Sequence, residues 1–175
     1  MRVFLLAAAA VLVAVDQAIK AWAFESLRPV GSMPVIEGVL NWTYVENYGA
    51  AFGLFAHRRE FLILLTGAIV LIAGILLWQG RFSHPVAQAS VLLVVAGGAG
   101  NLIDRVTRGF VVDYIDINPL FSYPMFNFAD CCVVCGTALI AIYILVLEGR
   151  QHHSHEIKEI PPQDSENHRE PTEEP

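Results

Sequence analysis

The sequence predicts a mainly α-helical membrane protein, with four transmembrane helices and a small extracytoplasmic β-sheet, a cradle, between helices 1 and 2. Three observations carry that prediction. Hydrophobic residues make up 55% of the 175, and the mean hydropathy is +0.51, high for a soluble domain. Four apolar windows have the length of membrane spans. A segment between the first two is instead rich in β-branched and aromatic residues.

Val3 to Phe24 is apolar except for Asp16, Gln17 and Lys20. Phe61 to Trp78 carries no charge, Val86 to Ile103 is interrupted only by Gln88 and Asn101, and Cys131 to Leu147 is again uncharged. A helix of 18 residues is about 27 Å long, close to the ~30 Å of a bilayer's hydrocarbon core. Four such windows in so short a chain argue against buried helices of a soluble protein. The first window also has "AWA" (Ala21 to Ala23), which a secretory signal peptide uses as a cleavage site. Signal peptides keep their charge at the front, however, and here it sits near the back, so the window reads as a retained helix.

"PVIEGVLNWTYVENYGAAFG" (Pro34 to Gly53) reads as a short twisted hairpin or sheet, and "FVVDYIDI" in the loop after the third window also reads as strand. Residues 1–150 therefore form one four-span domain, with spans near 3–24, 61–78, 86–103 and 130–147. Residues 151–175 form an acidic, disordered tail. The formal charge of −6 belongs mostly to that end: residues 148 to 175 hold eight acids and three bases. The acidity therefore says nothing of a nucleic-acid partner, and none is expected.

An even number of spans puts both termini on one side, and a long polar tail with no export logic makes that side cytoplasmic. The count of positive charges opposes this. Arg2, Arg81 and Arg150 fall inside, against Arg28, Arg58, Arg59, Arg105 and Arg108 outside.

The chemistry is sought among ionisable groups at membrane depth, which cost about 2.5–3.5 kcal/mol each to insert and are usually paired. Asp16 and Lys20, spaced i, i+4, share a helix face and can pair. In "GGAGNLIDR" (Gly97 to Arg105), Asn101, Asp104 and Arg105 share a face, and the glycines allow another backbone to approach. Asp104 and Arg105 suit a structural lock at the membrane boundary more than a reactive pair. Asp113 follows a short apolar strand, and Asp130 opens the last span one turn after Asn127. "NPLFSYP" (Asn118 to Pro124) can reverse the chain and bring the two acids to one membrane face. Two carboxylates in a poorly hydrated site cannot both ionise easily: one keeps a proton while the other activates water. On spacing alone the blander assignment is favoured, with Asp130 a helix cap and Asp113 a solvated loop residue. The cysteines Cys131, Cys132 and Cys135 read as packing residues in a span. "HHSH" (His152, His153, His155) is a weak metal signal on the tail.

Five blocks in chain order decide between these assignments: "DQAIK" (Asp16 to Lys20), "NYGAAFG" (Asn47 to Gly53), "GGAGNLIDR", "VVDY" (Val111 to Tyr114) and "FNFAD" (Phe126 to Asp130). With them the chain resembles the bacterial lipoprotein signal peptidases, or signal peptidase II, over residues 1 to about 147. The resemblance implies an intramembrane aspartyl endopeptidase of the cytoplasmic (inner) membrane, needing neither metal nor cofactor. It implies removal of the signal peptide from diacylglyceryl-modified prolipoproteins, with cleavage on the amino side of the lipidated cysteine. It implies Asp113 and Asp130 as the catalytic pair. It also implies site-supporting roles for Asp16, Lys20, Asn47, Gly97, Asn101, Asp104, Arg105 and Asn127. Membrane lipid and globomycin-type cyclic peptide inhibitors are the further implied partners. Residues 34 to 53 are expected to cradle substrate, with Asn47 offering its amide to the substrate backbone. The alternative is a small proton-coupled transporter that uses Asp16, Asp113 and Asp130 as relay groups.

Overall fold

The computed structural model describes residues 2–49, 54–55 and 58–148. Residues 50–53 of the second block and the tail from 151, with the "HHSH" histidines His152, His153 and His155, lie outside the described residues. Four helices are long and apolar enough to cross a membrane: Arg2–Leu27, Arg59–Gln79, Pro85–Thr107 and Phe128–Val146. The chain divides into two units, Met1–Ala141 and Ile142–Pro175. Every residue of the site described below belongs to the first.

Helix α1 (Arg2–Trp22) ends in a wider π turn, Ala23–Leu27. Helix α2 (Arg59–Gln79) is apolar all round, and Leu64, Leu71 and Ile72 face outward. That much exposed apolar surface is stable only against lipid. Gly80 stops α2 in the left-handed region (φ 71°), where its N–H caps the Leu76 and Leu77 carbonyls. Helix α3 (Pro85–Thr107) starts with His84 as its cap and Pro85 in the first turn. It runs a full turn past the apolar window that ends at Ile103, because Asp104, Arg105 and Arg108 all find partners and need no water. Helix α4 covers Phe128–Ile142.

A three-stranded antiparallel sheet, in the order β1-β2-β3, sits at the end of the bundle where α1 finishes and α2 begins. β1 (Ser32–Ile36) and β2 (Leu40–Asn47) form the hairpin between helices 1 and 2. β3 (Val111–Asp116) comes from the loop after α3 and pairs with β2, placing Val45 opposite Asp113 and Asn47 opposite Val111. β3 is buried because its alternate residues meet two different layers. Val112 and Tyr114 pack with Ala23 and Leu27 of the π turn, while Val111 and Asp113 take the other face.

Small residues let the helices close up around α3. A Cβ on Gly97 would strike the Ala129 carbonyl oxygen and stand 2.9 Å from Val133 Cγ2. One on Gly98 would stand 2.7 Å from Val70 Cγ2, and one on Gly136 2.7 Å from the Ser90 oxygen. The glycines of "GGAG" are therefore the points where α2 and α4 touch the α3 backbone.

Several arginines that oppose the positive-charge count have partners at the sheet end. Arg59 donates to the Arg105 and Val106 carbonyls (2.8 and 3.1 Å), closing the C-terminus of α3. Arg28 pairs with Glu46 at 3.6 Å and lies over the Phe24 ring. These side chains are placed by helix ends and neighbours.

Candidate active site

The four-span core holds a fully enclosed set of charges. Lys20 is 0% exposed and pairs at 3.0 Å with both Asp16 and Asp104, themselves 1% and 0% exposed. The i, i+4 pair expected within α1 is thus present, with a third member from α3. Asp104 pairs with Arg108, its own i+4 neighbour, as well as with Lys20. It does not pair with Arg105, the partner the sequence suggested, because successive helical residues point about 100° apart. Two acids and two bases balance, and Gln17 donates to the Gly100 carbonyl (3.1 Å) and to Asp104 (3.3 Å). Arg108 and Gln17 were missed by sequence reasoning, although the i, i+4 spacing of Asp104 and Arg108 was there to be read.

This network reaches the two candidate catalytic acids through amides. Lys20 Nζ donates to Asn101 Oδ1 at 2.7 Å. With that oxygen occupied, Asn101 must aim its Nδ2 the other way, where it donates to Asp130 Oδ1 at 2.8 Å. Asp16 accepts from the Ala129 N–H (3.1 Å), one of the free donors in the first turn of α4. Lys20→Met leaves two buried carboxylates with one cation between them. The expected cost is about 3–5 kcal/mol, to be seen in thermal unfolding of the detergent-solubilised protein. A loss under about 1 kcal/mol contradicts the network's role.

Asn127 and Asp130 brace each other. Asn127 N–H donates to Asp130 Oδ2 (3.2 Å), and Asp130 N–H donates to Asn127 Oδ1 (3.0 Å). This is a capping box in which Asn127, and not Asp130 as expected from sequence, is the cap, because α4 starts at Phe128 and Asp130 is its third residue. Asn127, 0% exposed, then donates its Nδ2 to Asp113 Oδ1 at 2.6 Å. Asn47 donates to Asp113 Oδ2 at 2.9 Å. The Asn47 oxygen accepts from the Gly49 N–H, and Asn47 lines the cleft described below with one amide N–H on Asp113 and a second N–H to offer.

The chain reverses where "NPLFSYP" suggested. Ile115 and Phe126 form a two-way bridge, 2.8 and 3.2 Å, which returns the chain from β3 to α4 and puts both acids on Asn127, Asp113 on its side-chain amide and Asp130 on its backbone N–H. Asp113 is 2% exposed. Burial, and then the charge of Asp130, push its carboxyl up to about 7, against smaller opposing contributions from the Asn47 and Asn127 hydrogen bonds. Arg105 donates to the Gly49 carbonyl (2.9 Å) and to Asn101 O (3.4 Å). A cleft of about 210 Å³ opens onto Asp130 and onto Asn47, the donor to Asp113; it is lined by Asn47, Asn101, Arg105 and Asp130 on its polar side and by Val111, Tyr123, Met125, Phe126, Val133 and Val134 on its apolar side. The three cysteines are free thiols and stand apart from that lining.

A four-span membrane bundle that ties two carboxylates to one buried asparagine, beside a partly apolar cleft, has the construction of an aspartic peptidase working at a membrane. The comparisons agree. The family described as signal peptidase (SPase) II matches residues 8–146. A lipoprotein signal peptidase of Clostridioides difficile is 38% identical over 139 residues, covering 79% of this chain and 93% of its own. That of Syntrophomonas wolfei is 40% identical, covering 80% and 91%. A solved structure described as a bacterial membrane enzyme superposes with a TM-score of 0.74 at 27% identity, covering 98% of this chain and 94% of its own. The chain belongs to the signal peptidase II family and is an aspartic endopeptidase.

Proposed function

We propose that the chain removes signal peptides from diacylglyceryl-modified prolipoproteins, cutting on the amino side of the lipidated cysteine, with Asp113 and Asp130 as the catalytic pair. The observation that carries this is the double use of Asn127, which braces Asp130 through the capping box and holds Asp113 at 2.6 Å. Asp130 takes a proton from water, and the water oxygen forms a bond to the scissile carbonyl carbon. Asp113 gives its proton to the carbonyl oxygen. As the tetrahedral gem-diol collapses, one hydroxyl returns its proton to Asp113 and re-forms the carbonyl, the C–N bond breaks, and the proton held by Asp130 goes to the departing amine. No metal or cofactor takes part.

Asp16, Lys20, Asn101, Asp104 and Asn127 support the pair through the hydrogen bonds above, and Arg105 and Asn47 shape the polar wall. Gly97 lets α4 approach closely enough to deliver Asp130. The sheet end lies at the outer face of the bacterial inner membrane, and both termini are cytoplasmic. A lipid-anchored substrate then enters sideways from the bilayer, where lipid is its neighbour, while water enters from above. Globomycin-type cyclic peptides occupy the same cleft and compete with substrate. The test is cleavage of a synthetic diacylglyceryl precursor peptide by the purified chain. Product beginning at the lipidated cysteine supports the reading, whereas no cleavage, or cleavage elsewhere, overturns it.

The pair titrates as a unit, and Asp113 must enter the reaction protonated. Raising the pH removes that proton, so kcat/KM falls on the alkaline side with a midpoint about 7. A flat profile from pH 5 to 9 contradicts this (about two units either side of that midpoint).

A further inference from the structure

The loop 117–125 leaves the sheet, carries exposed Leu120 and Phe121, and returns as one wall of the cleft with Tyr123, Pro124, Met125 and Phe126. At its base it is held by the Ile115–Phe126 bridge. Its arm is held by the Asp116 carboxylate. Asp116, 7% exposed, accepts from the Asn118 N–H (2.9 Å) and the Asn118 side-chain amide (2.8 Å) on one oxygen. Its other oxygen accepts from the Thr43 hydroxyl (2.9 Å) on β2, which in turn meets Ser32 of β1 at 2.8 Å. Asn118 Oδ1 then accepts from the Tyr123 N–H at 3.1 Å. A continuous line of hydrogen bonds thus runs from the sheet through Asp116 and Asn118 to the residue that opens the cleft wall. Asp116 lies on the opposite face of β3 from Asp113, since strand residues alternate, and it touches neither catalytic acid.

We infer that Asp116 is a positioning residue for substrate: it latches the 117–125 loop to the sheet, so that Tyr123, Met125 and Phe126 form a fixed apolar slot facing Val133 and Val134 of α4. The slot takes apolar side chains of the precursor next to the scissile bond. This rests on the peptidase reading. Without the latch the wall is ordered only when substrate binds, and binding bears that cost, while the pair that does the chemistry is undisturbed.

The experiment measures steady-state cleavage of a diacylglyceryl precursor peptide by the full-length purified protein, alongside hydrogen exchange of the loop amides. Asp116→Ala and Asn118→Ala each raise KM about tenfold and leave kcat within about twofold. Asp116→Asn, which keeps an oxygen to accept the backbone N–H, recovers most of the loss. Exchange at the Asn118 and Tyr123 amides speeds up at least about tenfold in both alanine variants. Unchanged KM in the alanine variants overturns the inference, as does a fall in kcat at constant KM, which reports fewer folded molecules. Should Asp116→Ala fail to fold, Asn118→Ala, at an exposed position, decides alone. Absence of cleavage by the unaltered protein overturns the peptidase reading, whereas normal cleavage with unmoved KM and exchange overturns only the latch.

Discussion

Asp113→Asn lowers turnover of a lipidated precursor by at least about a thousandfold while the protein still inserts and folds. The same holds for Asp130→Asn. Asparagine keeps the shape of the carboxyl group but neither takes a proton from water nor gives one to the carbonyl oxygen. For Asp113 the stability effect has a definite sign. The unfolded carboxyl releases its proton near 3.8, whereas the folded one keeps it to about 7. Between those values the unfolded state binds fewer protons, so the unaltered protein loses stability as pH rises. The Asp113→Asn variant has nothing to titrate at that position. Its stability relative to the unaltered protein therefore climbs from about pH 4 to about pH 7, at about 1.4 kcal/mol per unit. Thermal unfolding at a series of pH values measures it. Retained turnover in either variant, or a difference that does not change with pH, contradicts the assignment.

Gly97→Ala is expected to lower kcat about a hundredfold without touching either acid. The added methyl meets the Ala129 carbonyl oxygen and lies 3.1 Å from Cys132 Cβ, both of them parts of the α4 backbone or its immediate surroundings. A side-chain tip would swing aside, but a backbone carbonyl in a helix does not. The helix must shift instead, and Asp130 sits one residue from the collision. A displacement of about 1 Å at the pair is enough for that loss. Cleavage kinetics on the folded variant measure it. Turnover within about threefold of the unaltered protein contradicts the view that α4 is placed by this contact.

The helical frame was legible in the sequence because lipid imposes one requirement, about 18 to 20 apolar residues per span, and four windows met it. Helix ends were less so. α3 continues to Thr107 because its charged last turn is satisfied by its own cap Arg108 and by Lys20 and Gly49, which come from elsewhere in the chain. The Asp16–Lys20 pair was readable from its spacing, as was the Asn127–Asp130 cap. The joining of Asp113 to Asn127 was not, since it depends on β3 pairing with β2 and on the Ile115–Phe126 return. Local pattern left Asp113 a loop residue, and the ordered set of five blocks pointed the other way. Asn47 was given the right neighbourhood, but its bond to Asp113 was not legible, because strand register is invisible in one chain's sequence. Asp116 gave no signal beyond ending a strand, because its partners Thr43 and Asn118 lie in different segments.

The coupling between the two acids is measured most directly by carbon-13 NMR of selectively labelled aspartate carboxyls, titrated in the unaltered protein and in Asp130→Asn. The account predicts that Asp113 titrates near 7 in the first and at lower pH in the second, where the neighbouring charge is gone. A midpoint close to the ordinary 3.8 in both proteins would show two carboxyls that do not sense each other, and the shared-proton pair would have to be abandoned.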